Sequence, residues 1–181
     1  MFFTSDTHWW HTNIIRFQRH SFDSVEEMNE VLIQNWNSKI GPKDEVYHLG
    51  DVFFCGQDKA LEILDRLNGR IHLVKGNHDK KMSRAVKDRF VWVKSDHIFK
   101  FRHKGERLWL HLYHYPCASW DGSYHGSWCL HGHTHGNYSN PDMKILDMGV
   151  DCWDYYPASL DDVIERMAKQ GGGSKSSRGI Y

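Results

Sequence analysis

The sequence predicts an α/β protein, a four-layer αββα sandwich in which helices flank two mixed β-sheets. Two observations lead to this prediction. In the first half, strand-like and helix-like segments alternate in the order β-α-β-α-β, the pattern of a mainly parallel sheet with helical crossovers. In the second half, strand-like runs dominate and a single helix follows them. These later strands therefore form a second sheet that packs on the first.

The segments of the first half are bounded by caps and glycines. Ser24 and Glu27 have the spacing of a capping box, and apolar residues at helical intervals follow as far as Ile40, before Gly41-Pro42. A second helix ends at Asn68-Gly69. The predicted segments are strand 2–5, helix 25–40, strand 46–49, helix 60–67 and strand 71–75.

The second half contains short apolar runs with few helical stretches between them. Ser159 is the predicted N-cap of the last helix, with acidic residues next to the helix N-terminus. The predicted segments are strands 90–93, 97–101, 108–113, 128–131 and 144–148, then a helix ending near 169.

Length and composition indicate one domain, residues 1–170, followed by a flexible Gly/Ser-rich tail, residues 171–181. Lys plus Arg and Asp plus Glu both total 23, so net charge gives no reason for bulk attraction to nucleic acid or membranes. No apolar run approaches the roughly 20 residues of a membrane span. The four cysteines form no C-x-x-C pair and no secretory signal is visible, so we expect a cytoplasmic protein with reduced thiols.

Side chains of the kinds that bind metals follow five predicted strands. They are Asp6 and His8 after the first strand, Asp51 after the second, Asn77 and His78 after the third, His114 after 108–113, and His133 and His135 after 128–131. Ligands of open α/β sheets bind outside the carboxyl ends of the strands, so we expect these residues to converge.

The chemistry of this set predicts transition metals rather than calcium. Carboxylates, an amide oxygen and imidazoles without thiolates suit manganese, iron, nickel or zinc. Seven ligands, with one bridging carboxylate, match two ions, and such pairs act as clamps for in-line phosphoryl displacement. We expect two divalent ions, with manganese preferred and iron, nickel and zinc as alternatives.

The chain resembles the calcineurin-like metallophosphoesterases, with all five family motifs present in order. The motifs are Asp6-Thr7-His8, Gly50-Asp51, Gly76-Asn77-His78-Asp79, His114 and Gly132-His133-Thr134-His135. The segments 6–15, His114-Tyr115-Pro116 and Gly149-Val150-Asp151 further resemble a small bacterial and phage branch. After Asp51 the chain lacks the Asp-Arg-Gly continuation of protein phosphatases, which argues against a phosphoprotein substrate and removes the usual aspartate partner of His78.

The resemblance implies a role for each motif residue. It places Asp6, His8, Asp51 and His135 at one metal, and Asp51 as bridge with Asn77, His114 and His133 at the other. His78 would lie beside the scissile phosphate without binding metal. Two divalent ions, less the charges of Asp6, Asp51 and a bridging hydroxide, leave about one positive charge, and that hydroxide would attack phosphorus in line. His78 would act as general acid or stabilise the transition state.

Several assignments stay open at this stage. His111 competes with His114 through its nearby position, although the Tyr115-Pro116 context favours His114. His131 shares the spacing of His133 and His135, but we expect it to be a buried strand residue or an outer hydrogen-bond donor. His11 is as well explained by a structural role at a helix start as by contact with the substrate phosphate.

Two further sets of residues have a plain structural alternative. Asn13 and Arg16 are weaker candidates than His11 for substrate contact. Arg16, Arg19 and His20 form a small basic group, which a solvated helix face explains equally well. The loop aromatics Trp9, Trp10, Tyr115, Trp120 and Tyr124 match a core or pocket wall better than a base-stacking surface.

The leading function is hydrolysis of a phosphodiester, of nucleotide or nucleic-acid-end type. A phosphomonoesterase or nucleotidase using the same residues is the near alternative, and a non-catalytic metal-binding interaction scaffold is the other. The retention of His78 with all seven expected ligands argues against the scaffold. The sequence leaves the oligomeric state open.

Overall fold

A computed structural model describes residues 1–170 and contains two mixed β-sheets. The segment 171–181, predicted to be a flexible tail, lies outside the described residues. The strands are β1 (Phe2–Thr4), β2 (Glu45–His48), β3 (Arg70–Val74), β4 (Val93–Lys94), β5 (Asp96–His103), β6 (Glu106–Tyr113), β7 (Trp128–His131), β8 (Ile145–Asp147) and β9 (Ala158–Ser159). The α-helices are α1 (Thr12–Phe17), α2 (Val25–Lys39), α3 (Gln57–Arg66), α4 (Arg84–Lys87) and α5 (Leu160–Ala168).

Both sheets combine parallel and antiparallel strands. The first has the order β4-β3-β2-β1-β9, in which only β9 runs antiparallel to its neighbour. The second has the order β5-β6-β7-β8, in which only the β5–β6 pair is antiparallel. The predicted fold class, two mixed sheets flanked by helices, is confirmed.

Two hydrophobic clusters hold the layers together. One packs α2 and α3 against the first sheet and includes Met28, Trp36 and Ile63. The other lies between the sheets and joins Phe3 of β1 to Leu110 and Leu130 of the second sheet. Alternate residues of each strand enter this inner core, so the strand ends are held at defined positions along one edge.

Helix caps behave largely as the sequence predicts. Ser24 accepts a hydrogen bond from the backbone N–H of Glu27 at 3.1 Å, although the Glu27 carboxylate accepts from Asp23 rather than from Ser24. Ser159 and Asp162 form a complete capping box at α5.

The prediction is wrong mainly where elements are short. The strand predicted at 90–93 begins only at Val93, because the turn after α4 extends to Phe90, although Val91 and Trp92 already hydrogen-bond to β3. Helix α4 and the two-residue β9 were not predicted, since so few residues carry little periodicity. The helix start offered as the structural alternative for His11 is present, because His11 is the N-cap residue of α1. Helix α3 begins three residues before position 60, in the polar run 57–59. None of the helices within 1–170 combines the length and apolarity that crossing a bilayer requires.

Candidate metal centre

The loops that carry the predicted ligands have an unusual backbone. Nine non-glycine residues among the described ones have positive φ angles, and five of them are predicted ligands. These five are Asp6, His8, Asp51, His133 and His135, with φ between 47° and 72°. Left-handed backbone at non-glycine residues costs about 1–3 kcal/mol each and clusters at functional sites. The surrounding structure therefore holds these side chains at an energetic cost that packing alone does not require.

Two glycines allow the site loops to approach closely, Gly132 between the two sheets and Gly76 within the first sheet. A Cβ atom at Gly132 would overlap Ser5 Oγ and Asp6 Oδ2, and one at Gly76 would overlap the carboxylate of Asp51. With only hydrogen at these positions, the backbone N–H of His133 donates to Asp6 Oδ2 at 2.9 Å. The two sheets thus contribute to a single site at their shared edge.

The first candidate metal position consists of Asp6, His8 and His135, whose ligand atoms lie within 4.8 Å of one another. Asp6 is fully buried, and its Oδ1 lies 3.7 Å from Nε2 of His8. Asp6 Oδ1 and both ring nitrogens of His8 are buried without a hydrogen-bond partner among the described residues. Such orphaned polar atoms are costly, and a bound cation would satisfy Asp6 Oδ1 and the one ring nitrogen of His8, Nε2, that faces Asp6.

The second candidate metal position consists of Asp51, His114 and His133, again with ligand atoms within 4.8 Å of one another. Asn77 joins it, because its Oδ1 lies 3.1 Å from His114 Nε2. His114 Nδ1 donates to the Leu49 carbonyl at 2.7 Å, which leaves Nε2 facing the site. The structure therefore selects His114 over His111, which lies elsewhere on the sheet.

Asp51 lies between the two positions. Its Oδ2 is 3.5 Å from Nε2 of His114, 3.9 Å from Nε2 of His8 and 3.8 Å from Nε2 of His78. One carboxylate oxygen thus reaches the first position, the second position and the extra histidine. This is the placement that a bridging ligand requires.

Charge coupling keeps Asp51 ionised. Burial opposes its charged form, but the hydrogen bond and positive charge of His114 outweigh this effect and lower the pKa of Asp51 to about 2. Burial likewise opposes the charged form of His114, and the nearby Asp51 and Asp6 outweigh it and raise the pKa of that imidazole. A metal ion held here by His114 would have to displace a proton, so its binding would weaken as the pH falls.

His135 is held by a buried charge network that the sequence analysis missed. Its Nδ1 lies 2.7 Å from Asp151 Oδ2, and Arg19 Nε donates to Asp151 Oδ1 at 2.7 Å. Arg19 was offered as part of a solvated helix face, but it is fully buried and also donates to the backbone carbonyls of Thr7 and Asp6. The one sequence signal for Asp151 was its place in the Gly149-Val150-Asp151 segment.

The donor set fits divalent transition metals. Oxygen and imidazole nitrogen ligands predominate, thiolates are absent from both groups, and the buried orphan atoms face inward. The family model for calcineurin-like phosphoesterases matches residues 1–166. The chain belongs to the calcineurin-like phosphoesterase family. This family consists of hydrolases that act on phosphoester bonds with the help of divalent metal ions, and its substrates are phosphate esters.

Relatives of this phosphoesterase come from archaea, phages and bacteria. The uncharacterized protein MJ1445 of Methanocaldococcus jannaschii is 36% identical to this chain, and the matched region covers 93% of this chain and 92% of the archaeal protein. The gene 66 protein of Mycobacterium phage L5 is 27% identical, and the matched region covers 83% of this chain and 86% of the phage protein. Among solved structures, the protein of unknown function AQ665 from Aquifex aeolicus superposes with a TM-score of 0.71 at 28% identity, covering 92% of this chain and 98% of its own. All three are similar to this phosphoesterase over nearly their whole length.

His78 contacts the site without being a member of either metal group. Its backbone N–H donates to Asp51 Oδ1 at 2.9 Å, and its ring packs on Phe54 with centroids 4.4 Å apart. Asp79 holds the turn, because its carboxylate accepts backbone N–H groups from Asp51, Val52 and Gly76. These contacts fix the backbone and the ring of His78, and 44% of its side chain stays exposed.

The three weaker candidates for substrate contact separate in the structure. His11 lies beside the first position, stacked on Phe54 at 3.7 Å and 5.3 Å from the His8 ring between centroids. Burial, assisted by the charge of His8, lowers the pKa of His11 to about 4, so the ring is neutral near pH 7. Asn13 and Arg16 are exposed on α1, and no hydrogen bond or ion pair among the described residues joins them to the site.

His131, the histidine of the 131–135 run that belongs to neither metal group, is separate from both positions. His131 is buried at the end of β7, and its Nδ1 donates to the Gly132 carbonyl at 2.8 Å. Trp9 and Trp120 are also buried, as a core role predicts, whereas Tyr115 packs its ring on His133 with centroids 4.7 Å apart.

Proposed function

We propose that this phosphoesterase hydrolyses phosphodiesters, of nucleotide or nucleic-acid-end type, at a centre of two metal ions. The observation that carries the proposal is the position of Asp51, whose Oδ2 lies within 4 Å of ring nitrogens of His8, His114 and His78. A carboxylate that belongs to one three-residue group and also approaches a histidine of the other supports a bridging role and explains the nearby extra histidine. We further propose manganese as the preferred ion, given the mixed oxygen and nitrogen donors.

The residues divide into ligands and a proton donor. One ion would be held by Asp6, His8, His135 and Asp51, and the other by Asp51, Asn77, His114 and His133. Bound divalent ions would supply an activated water as nucleophile and positive charge for the phosphoryl oxygens. The pair of carboxylates limits the net charge of the loaded site to a small positive value, which attracts an anionic phosphate ester.

His78 would serve the leaving group. Its ring is partly exposed, is fixed by Phe54 and by the Asp51 contact, and lies outside both ligand groups. A proton held at Nε2 of His78 would pass to the leaving oxygen or stabilise charge that develops there. Asp51 has a second task, because its Oδ1 fixes the backbone of His78 while its Oδ2 faces the metal positions.

The surroundings of His78 favour a diester. A cavity of about 180 Å³ adjoins this histidine, and its lining includes Gln57, Lys81 and Ser83. A monoester presents only its leaving group and metal-facing oxygens, whereas a diester has a second substituent that needs room. Lys81 would also attract a further phosphate of a nucleotide or of a nucleic-acid end.

Two chromogenic substrates test the proposal directly. Metal-stripped protein is supplied with manganese, nickel or zinc, and the hydrolysis of bis-p-nitrophenyl phosphate is compared with that of p-nitrophenyl phosphate. We expect metal-dependent hydrolysis, fastest with manganese and with a higher kcat/KM for the diester. A higher value for the monoester would identify a phosphomonoesterase instead, and no hydrolysis with any of the metals would leave the interaction scaffold. Chelator-treated protein is the control.

A further inference from the structure

A second set of metal-binding side chains lies on the outer face of the second sheet. His111 of β6 and Cys129 of β7 are direct partners in the parallel strand register. Cys117 comes from the loop that follows His114, and the ligand atoms of these three residues lie within 4.8 Å of one another. The set shares no residue with the candidate metal centre described above.

Strand alternation explains why His111 and Cys129 face outward. Leu110, Leu112 and Leu130 point into the core between the sheets. His111 and Cys129 alternate with them and therefore point to the opposite face. There Cys129 belongs to a small separate cluster with Trp120 and Ile145, and Cys117 packs against it.

The polar atoms of this cluster lack good partners. His111 Nδ1 is buried without a hydrogen-bond partner among the described residues. The Cys117 thiol donates a long hydrogen bond, 3.7 Å, to the Tyr115 carbonyl. Cys129 itself is fully buried. Buried donors and acceptors are normally satisfied, so an unpartnered imidazole nitrogen beside two thiols indicates a missing ligand.

We propose that His111, Cys117 and Cys129 bind one soft divalent cation of the zinc class. Bond lengths of about 2.3 Å to sulfur and about 2.0 Å to nitrogen place tetrahedral ligand atoms ~3.5–3.8 Å apart. Ligand atoms up to 4.8 Å apart therefore need to approach one another by at most about 1.3 Å to reach that spacing. Three protein ligands leave one tetrahedral position for water or an external ligand.

Charge balance favours this ion in an apolar setting. Two thiolates neutralise a divalent cation, and a neutral imidazole adds no charge, so the loaded cluster has a net charge of zero beside Trp120 and Ile145. Binding releases the two thiol protons to solvent. Thiolate ligands also select zinc over the harder ions that suit the carboxylate-containing centre. The two kinds of site would therefore sort metals by ligand chemistry.

An ion here would fasten the loop 114–127 to the sheet. That loop begins with His114 and Tyr115, and the Tyr115 ring packs on His133. The bound cation would hold Cys117, two residues beyond Tyr115, against β6 and β7. The bound cluster would therefore stabilise the loop by which the second sheet contributes His114 to the metal centre.

Optical titration distinguishes this cluster from the oxygen and nitrogen centre. Full-length, metal-stripped protein kept reduced with a phosphine is titrated with cobalt or cadmium, and thiolate-to-metal charge-transfer absorption is recorded. The other centre has no thiolate, so it contributes no such band. We expect a band that saturates at one ion per chain and disappears when zinc is added. Cys117→Ser should lose it, and His111→Gln should weaken the binding at least ~10-fold.

Cys55→Ser is the matched control, because Cys55 is another half-buried thiol outside the cluster, and it should keep the band. Circular dichroism of each variant verifies folding, and zinc should protect Cys117 of the unmodified protein from alkylation whether or not a variant folds. The proposal is overturned if the reduced protein gives no charge-transfer band, if Cys117→Ser retains it, or if zinc leaves the alkylation rate unchanged. A Cys117–Cys129 disulfide that persists under reduction, detected as a mass lower by two hydrogens, would also overturn it.

Discussion

The two candidate metal positions hold their histidines in different ways. At the first position, His135 contacts the carboxylate of Asp151, and the buried guanidinium of Arg19 supports that carboxylate from behind. At the second, His114 is oriented by a neutral carbonyl, that of Leu49, and His133 is exposed with its ring against Tyr115. One position is thus built into a buried ionic network, whereas the other is partly open to solvent.

This difference predicts an order of binding. A carboxylate partner fixes the ring of a metal-binding histidine and raises its basicity, which strengthens the metal bond. A backbone carbonyl orients the ring with a weaker effect on basicity. We therefore expect the first position to bind its ion more tightly. We expect the second position, which is more exposed to solvent, to exchange its ion more readily and to be the more accessible to substrate.

Replacement of Asp51 should weaken metal binding at both positions together. Asp51→Asn keeps the shape and the acceptor for the His78 N–H, but removes the charge that both positions share. We expect metal affinity to fall more than ~100-fold at both, beyond the ~10–100-fold of outer partners, and activity to fall with it. Isothermal titration with manganese measures this. Two fully occupied sites in the variant would rule out the bridging role.

Replacement of His78 should leave the metal affinities of both positions unchanged and lower the catalytic rate. His78→Ala deletes a ring that contacts Asp51 but belongs to neither ligand group. We expect both ions to bind as before while kcat falls at least ~100-fold, the usual size of lost general-acid assistance. Metal analysis and steady-state kinetics are measured on the same sample. An unchanged kcat would exclude His78 from the mechanism.

Replacement of Asp151 should weaken the first position alone. Asp151→Asn is preferable to Asp151→Ala, because leaving Arg19 buried without a partner would cost about 3–5 kcal/mol of stability. We expect the affinity of the tighter site to fall ~10–100-fold, with the weaker site unchanged.

The matched control for this change is Asp154→Asn, which removes an exposed carboxylate from the same loop at a residue with φ of 51°. It should leave both affinities unaltered. An equal loss at both positions, or none at the tighter one, would contradict the role assigned to Asp151.

The smallest expected effect concerns His11, which lies beside the first position only. Because its ring stacks on Phe54 and is neutral, His11→Ala removes a hydrogen-bonding group beside the first metal position without removing charge. We expect KM to rise less than ~10-fold, about 1.4 kcal/mol or less, with metal content unchanged. His20→Ala, at an exposed histidine, is the control and should not change KM. A loss of metal from the His11 variant would mean that this ring supports His8 instead.

The strands that carry the ligands were predictable because apolar runs ended at glycines and polar residues. The runs 46–49, 71–75 and 128–131 match β2, β3 and β7 to within one residue. The short helix α4 was not predictable, since a single helical turn leaves no periodic pattern, and the turn that follows it delays the strand expected at 90–93 until Val93.

The residues behind the ligands were harder to foresee. Arg19 and Asp151 are 132 positions apart, so nothing in the local spacing of either reports their contact. His111, Cys117 and Cys129 likewise follow no regular metal-binding spacing, and they meet only because β6 and β7 pair in a particular register. The left-handed backbone at five predicted ligands is also a property of the folded loops, since aspartate and histidine do not require it.

The sequence by itself determined which chemistry is available: two sheets with helices, and carboxylates, an amide and imidazoles at the ends of strands next to glycines. Those features are local, because strand periodicity and the residue types at strand ends depend on neighbouring positions. The tertiary structure decided which groups meet. It placed Asp51 between two positions, buried Arg19 behind His135 and kept His131 out of the site. Contacts of this kind depend on how distant loops pack, and no local pattern encodes that packing.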